Sequence, residues 1–167
     1  MAARQSRVVL NRAALNEIDG GLADGVFDIA RAIAVVAASR APDAPPYGEG
    51  LVDAGGAAIW VRGRKVAEST TGPGGKVDKP RGLTLKSAGA TIVGVVGFGF
   101  PALFVELGTI LMRAIPFLTP AAIEVIGNQA QLLLSKAMAR RLRGERSANT
   151  ARIQERIAAS RARQAAA

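Results

Sequence analysis

Leu15, Ile18, Leu22, Val26, Ile29, Ile33 and Val36 follow one another at spacings of three and four residues. That repeat lays an apolar stripe along one side of an α-helix and is incompatible with a strand, whose faces alternate every residue. It predicts a helix of roughly 25 residues. Asn11 is placed to cap it, and Leu10 and Leu15 hold the two positions of a hydrophobic staple. The helix must stop before the segment APDAPP, because Pro42, Pro45 and Pro46 cannot continue it. Three glycines, Gly20, Gly21 and Gly25, sit inside it. Each weakens a helix by up to ~1 kcal/mol relative to alanine, so packing must hold the element together. Their missing side chains also make room for a close neighbour.

Beyond the prolines the pattern changes. In AIWVRGRKV, Ile59 and Val61 point to one side of a strand, and Trp60, Arg62 and Arg64 to the other. One face suits a core and the other is basic. TTGPGGKVDKPRG is loop chemistry throughout, and LTLKSAGATIVGVVGFGF supplies further strand material. The central region therefore reads as an antiparallel sheet with a long hairpin loop. A second helix opens at Leu118-Thr119-Pro120, with Thr119 as cap and Leu118 and Ile123 as staple; its stripe is Ile123, Ile126, Ala130, Leu133 and Ala137. The stripe thins past Leu142, where Gly144 interrupts it, and Ile153 and Ile157 are too few to build another core. The order helix, sheet, helix, basic tail defines an α+β chain, with an assembly domain over 1–142 and a partly helical or flexible tail over 143–167.

Function is constrained by what is missing. The chain contains no cysteine and no histidine. Disulfide frameworks, thiol catalysis, Cys/His zinc sites and His-dependent triads are excluded together. Aromatic residues make up 4% of the chain, too few for a base-stacking platform. Most of the enzyme menu closes with these absences, and no metal or cofactor is expected. The formal net charge is +9, but it is unevenly spread. Nine basic residues fall after position 135 (Lys136, Arg140, Arg141, Arg143, Arg146, Arg152, Arg156, Arg161 and Arg163), against only Glu145 and Glu155. The body is nearly neutral, and the eight arginines of the cationic end are candidate contacts for DNA or an acidic partner.

Several motif-like stretches fail. TTGPGGKV has Thr70 and Val77 where a phosphate loop needs glycine and a hydroxyl residue. GVVGFG carries its glycines in the reverse order of a dinucleotide fingerprint. Asp24 and Asp28 lie one helical turn apart, and Arg31 follows Asp28 by three, which predicts a solvated, ion-paired helix face. Trp60 beside Arg62 and Arg64 is expected on an exposed or subunit-facing strand. The uncharged run 88–105 approaches spanning length, but its glycines and β-branched residues favour a buried strand and turn. No secretory signal opens the sequence, and the protein is expected to be soluble and intracellular when made.

The stretch FVELGTILMRAIPFLTPA, 104–121, is the most specific. It reads as a strand end, a turn at Gly108, a connector through Pro116 and a helix start. Glu106 is the only acid between Asp78 and Glu124, and a charge there must find a partner or lie at a subunit contact. Glu106, Gly108, Thr109, Ala114, Pro116, Phe117, Leu118, Pro120 and Ala121 match, in order and spacing, a motif of the tail-completion or head–tail joining proteins of long-tailed phages, which this stretch resembles. The long first helix and the proline-rich segment after it fit that family's layout. Gly48-Glu49-Gly50-Leu51 resembles its strand start loosely.

The resemblance implies a structural part of the virion neck or the top of the tail, not an enzyme, made in the host cytoplasm. It implies a closed, six-fold ring of copies of the chain, meeting adjacent neck rings and the tail terminator or tail tube, with DNA in the lumen. Ring closure requires a heterologous contact. Arg62, Arg64, Lys76, Lys79 and Glu106 are candidate contacts. Ile110, Leu111 and Ile115 stand where relatives often carry polar residues, which implies burial against a partner. The basic end has no counterpart in the family. The alternative is a small basic nucleic-acid-binding protein acting through that end. A membrane-active protein using 88–105 is a third class.

Overall fold

The computed structural model describes residues 12–42, 50–61, 63–73, 75–77, 92–99 and 101–144. Helix α1 spans Arg12–Arg40, and strands β1 (Gly56–Val61), β2 (Arg64–Thr70) and β3 (Ile92–Gly97) follow it. Helices α2 (Pro101–Leu107), α3 (Leu118–Asn128) and α4 (Ala130–Leu142) come next among the described residues. The chain is an α+β mixture, and among the described residues its strands form a three-stranded antiparallel sheet ordered β2-β1-β3. Among the described residues, no helix is long and apolar enough to cross a membrane. The part of 88–105 with the densest β-branched run is strand β3.

The hairpin is tight and joins β1 to β2 through Gly63, whose φ of 83° suits a residue without a side chain. The long segment expected to be a hairpin loop instead links β2 to β3 on opposite edges of the sheet. Residues 74 and 78–91 of that segment, Lys79 among them, lie outside the described residues, as does Arg62. Gly50–Ala54 form a turn rather than a strand start, and Leu51 is buried there.

Strand β1 is buried along its whole length. Ile59 and Val61 pack against Ala23 and Phe27 of α1, and Ala57 against Ala30 and Ala34. The opposite face, expected to be basic and exposed, is covered. Trp60 is buried with Ala58, Val77 and Val95, because residues 75–77 return across the sheet. Burying such a ring contributes on the order of 2 kcal/mol, which explains why the return segment is kept close. Lys65 places its ammonium 5.7 Å from the centre of the ring. Lys65 also donates to Glu68 Oε2 (2.9 Å) and to the Val77 carbonyl (2.7 Å), while the Val77 N–H donates to Glu68 Oε1 (2.5 Å). A bulge in β2, opposite Ile59 and Trp60, sets this register.

The stripe on α1 is rotated from expectation. Ile18 and Leu22 are substantially exposed, and the buried positions are Ala23, Phe27, Ala30, Ile33, Ala34 and Ala37. Two neighbours explain the shift. The sheet covers the alanine face, and α4 lies against Gly20, Gly21 and Gly25. A Cβ at Gly25 would stand 2.5 Å from Leu134 Cδ1 and 3.2 Å from Leu134 Cα. One at Gly21 would stand 2.6 Å from Met138 Sδ, and one at Gly20 2.6 Å from Arg141 Cζ. The glycines therefore do admit a close neighbour. Ascending order on α1 meets descending order on α4, so the two helices run antiparallel.

The last helix is two helices. The chain breaks at Gln129 (φ −124°, ψ −20°), so the single stripe read through Ile123, Ile126 and Ala130 does not hold. Ala121 and Val125 are buried on α3, Ala137 and Arg141 on α4, and Ile123 and Ile126 are exposed. Helix α4 ends at Leu142, and Gly144 follows with φ 74°.

Candidate functional site

Residues 101–121 form one locked unit. PALFVEL is a helix, α2, rather than a strand end: Pro101 fits a first helical turn, and Ala, Leu and Glu are good helix formers. Ala102 and Val105 turn inward to a cluster with Ala37, Leu51, Phe117 and Ala121. Leu103, Phe104 and Leu107 face outward. Gly108 ends the helix with φ 75°, its N–H bonding the Phe104 carbonyl at 2.8 Å. A Cβ there would sit 2.8 Å from the Ala114 nitrogen, so the returning connector passes directly over it.

The connector closes on itself. The Thr109 N–H donates to the Met112 carbonyl (2.9 Å), and the Met112 N–H returns the bond (3.3 Å). The Thr109 hydroxyl oxygen accepts from the Leu111 and Met112 N–H groups at 3.2 and 3.1 Å. The Ile115 N–H then donates to the Val105 carbonyl at 2.8 Å, tying the loop to α2. Ile110 and Leu111 form its tip and are almost entirely in water, and Ile115 is partly exposed. Phe117 anchors the far end, buried and edge-on to Phe98 with ring centroids 5.2 Å apart.

Glu106 finds its partner inside its own chain. Its Oε2 accepts from the Phe117 and Leu118 N–H groups at 2.8 and 2.9 Å, and its Oε1 from the Thr119 N–H at 2.8 Å. These N–H groups open α3, where no intrahelical acceptor exists. The cap is therefore Glu106, supplied from α2, and not Thr119; no side chain at the N-cap position makes a capping bond. Burial alone raises the Glu106 pKa, but the Thr119 hydroxyl and the three N–H groups hold the carboxyl below its ordinary value. A carboxylate at a helix N-terminus is also favoured by the helix dipole.

The basic candidates separate. Arg64 and Lys76 are exposed. Arg141 is only 5% exposed and unavailable to DNA: its Nε donates to Glu17 Oε2 at 2.8 Å, and its Nη1 lies 3.6 Å from Asp24 Oδ2. The two carboxylates offset the cost of burying its charge, and Gly20 leaves the space it fills. Arg140 pairs with Asp28. The cations for Asp24 and Asp28 thus come from α4 and not from Arg31. Arg143 is exposed at the end of α4. Arg146, Arg152, Arg156, Arg161 and Arg163 lie outside the described residues.

No family model, curated protein or solved structure matches the chain.

Proposed function

We propose that this chain is a structural subunit of a phage neck or tail top, forming a closed ring that joins the tail to the filled head. The observation that carries the reading is the apolar ledge on 103–115. Leu107, Ile110 and Leu111 are large, strongly exposed side chains, and the connector that carries two of them is closed by hydrogen bonds at both ends. Apolar groups held out rigidly in water mark surfaces that meet another protein. The residues that build this ledge are also those of the tail-completion motif. Glu106 caps, Gly108 permits the crossing, Thr109 ties the tip, and Phe117 anchors the return. A motif whose members act on one surface supports reading that surface as the ring contact. Arg64 and Lys76 on exposed positions supply further candidate contacts.

The test is electron microscopy of the purified chain at high concentration, with proteomics of virions carrying its gene. Closed rings are expected, and the paired change Ile110→Asp, Leu111→Asp should leave monomers. A chain that stays monomeric at every concentration and is absent from virions overturns the reading. Tight, steeply salt-dependent DNA binding that vanishes on deletion of 143–167 would favour the basic nucleic-acid-binding alternative instead.

A further inference from the structure

Away from the ledge, α1 and α4 enclose an open groove of 810 Å³. On α1 it is lined by Asp28, Arg31, Ala32, Val35 and Val36, spaced as one face of a helix. Along α4 and the two residues that flank it, Gln129, Leu133, Lys136, Arg140 and Arg143 recur at three and four residues and form the facing wall, with Ala139 beside them. The groove arises from the same seam that closes further along. Where Gly20, Gly21 and Gly25 face α4 the helices touch, while the neighbouring side of α4 stays open.

Its chemistry has two layers. The floor is apolar, from Ala32, Val35, Val36, Leu133 and Ala139, and Val35 is 62% exposed. Among the described residues, the rim carries Arg31, Lys136, Arg140 and Arg143 against one carboxylate, Asp28, which pairs with Arg140. An occupant must bring apolar side chains for the floor and negative charge for the rim. Residues 129–143 extend over roughly 20 Å at 1.5 Å per residue, the length of three to four helical turns. We propose that this groove receives an acidic amphipathic helix from a partner protein, packed as a third helix beside α1 and α4. Apolar anchors at every third or fourth position enter between Val35 and Leu133, and flanking glutamates or aspartates meet Arg31 and Lys136. A nucleic-acid backbone satisfies the rim and offers nothing to the floor. Residues 145–167 carry five arginines against two acids, the wrong sign of charge for an occupant of this rim.

The test uses the full chain and a fluorescent synthetic helix of about four turns, with leucines on one face and glutamates on the flanks. A scrambled peptide of the same composition and a short DNA duplex serve as comparisons. The amphipathic peptide should bind at least about tenfold more tightly than the scrambled one. Arg31→Glu with Lys136→Glu, and separately Val35→Asp, should each weaken it by about tenfold or more. All three positions are at least partly exposed, so folding is expected to survive; circular dichroism checks it. If a variant unfolds, hydrogen exchange on the unaltered chain decides: added peptide should protect 31–36 and 133–140. Equal binding of the scrambled peptide, tighter binding of DNA through the same residues, or protection confined to other segments overturns the proposal.

Discussion

Along α1 the residues that vanish into the interior are small: Gly20, Gly21, Ala23, Gly25, Ala30, Ala34 and Ala37, with Phe27 and Ile33 as the large exceptions. Along 103–115 the residues left in water are large: Leu103, Leu107, Ile110 and Leu111. Side-chain size and burial run in opposite senses in the two regions. On α1 the short side chains let a sheet and a second helix approach on two sides at once, and the gain lies in contact with those neighbours. On the ledge, hydrogen bonds and one carboxylate hold the backbone, so its apolar side chains are not needed to hold the fold. The first region stabilises the fold, and the second is available to something else.

The largest expected effect breaks the first half of that comparison. Gly25→Val places two methyl groups where even a single Cβ would meet Leu134 at 2.5 Å. Alanine-like helix propensity would return less than ~1 kcal/mol, and overpacking against the Leu134 backbone costs more. A net loss of about 3 kcal/mol is expected, seen as a lower midpoint in urea with an unchanged slope. An unchanged midpoint would mean the α1–α4 seam is looser than its geometry. Gly21→Ala should cost less, since the atom it meets is the flexible Met138 sulfur.

How much of this was legible follows from which interactions are local. The two helical regions, the strand order of hydrophobicity and the cationic end all follow from spacing. The three glycines pointed to a close neighbour because a long helix keeps such costly residues only where packing uses them. Long-range pairings were not legible. Nothing near Arg141 in sequence announces that Glu17 and Asp24 neutralise it, more than a hundred positions away. Trp60 looked exposed because its cover, Val77, comes from a stretch rich in loop residues. PALFVEL reads as continued strand because it follows a β-branched run, whereas β3 ends at Gly97 and α2 begins at Pro101. Its charge marks Glu106 as needing a partner, but nothing in the spacing shows that the partner is the first turn of α3.

A middle-sized effect joins the two regions, since Glu106 ties the ledge to the core. Glu106→Ala strips three N–H groups of their acceptor and should cost about 2 kcal/mol, because water repays part of each bond. The pH dependence follows from the direction of the shift. A carboxyl with a folded pKa below its unfolded value stabilises above the unfolded pKa, near 4.3 for glutamate. That contribution is lost as pH falls through the lower folded value. The difference in thermal midpoint between the native chain and Glu106→Gln should therefore be widest near neutrality and shrink below about pH 4. A gap that stays constant to pH 3 would show that the carboxylate is not what closes the unit.

The smallest effect is the sharpest discriminator. Ile110→Ser and Leu111→Ser exchange side chains that water already surrounds, so the unfolding free energy of the isolated chain should change by no more than about 0.5 kcal/mol. The closing bonds run through Thr109, Met112 and the Ile115 backbone, none of which is altered. Stability measured at low protein concentration isolates the subunit from any association that adds to its apparent stability. If the pair instead lowers the midpoint by as much as Gly25→Val does, the tip packs on its own chain. The contrast between a stabilising face and an offered one would then fail at the residues that define it.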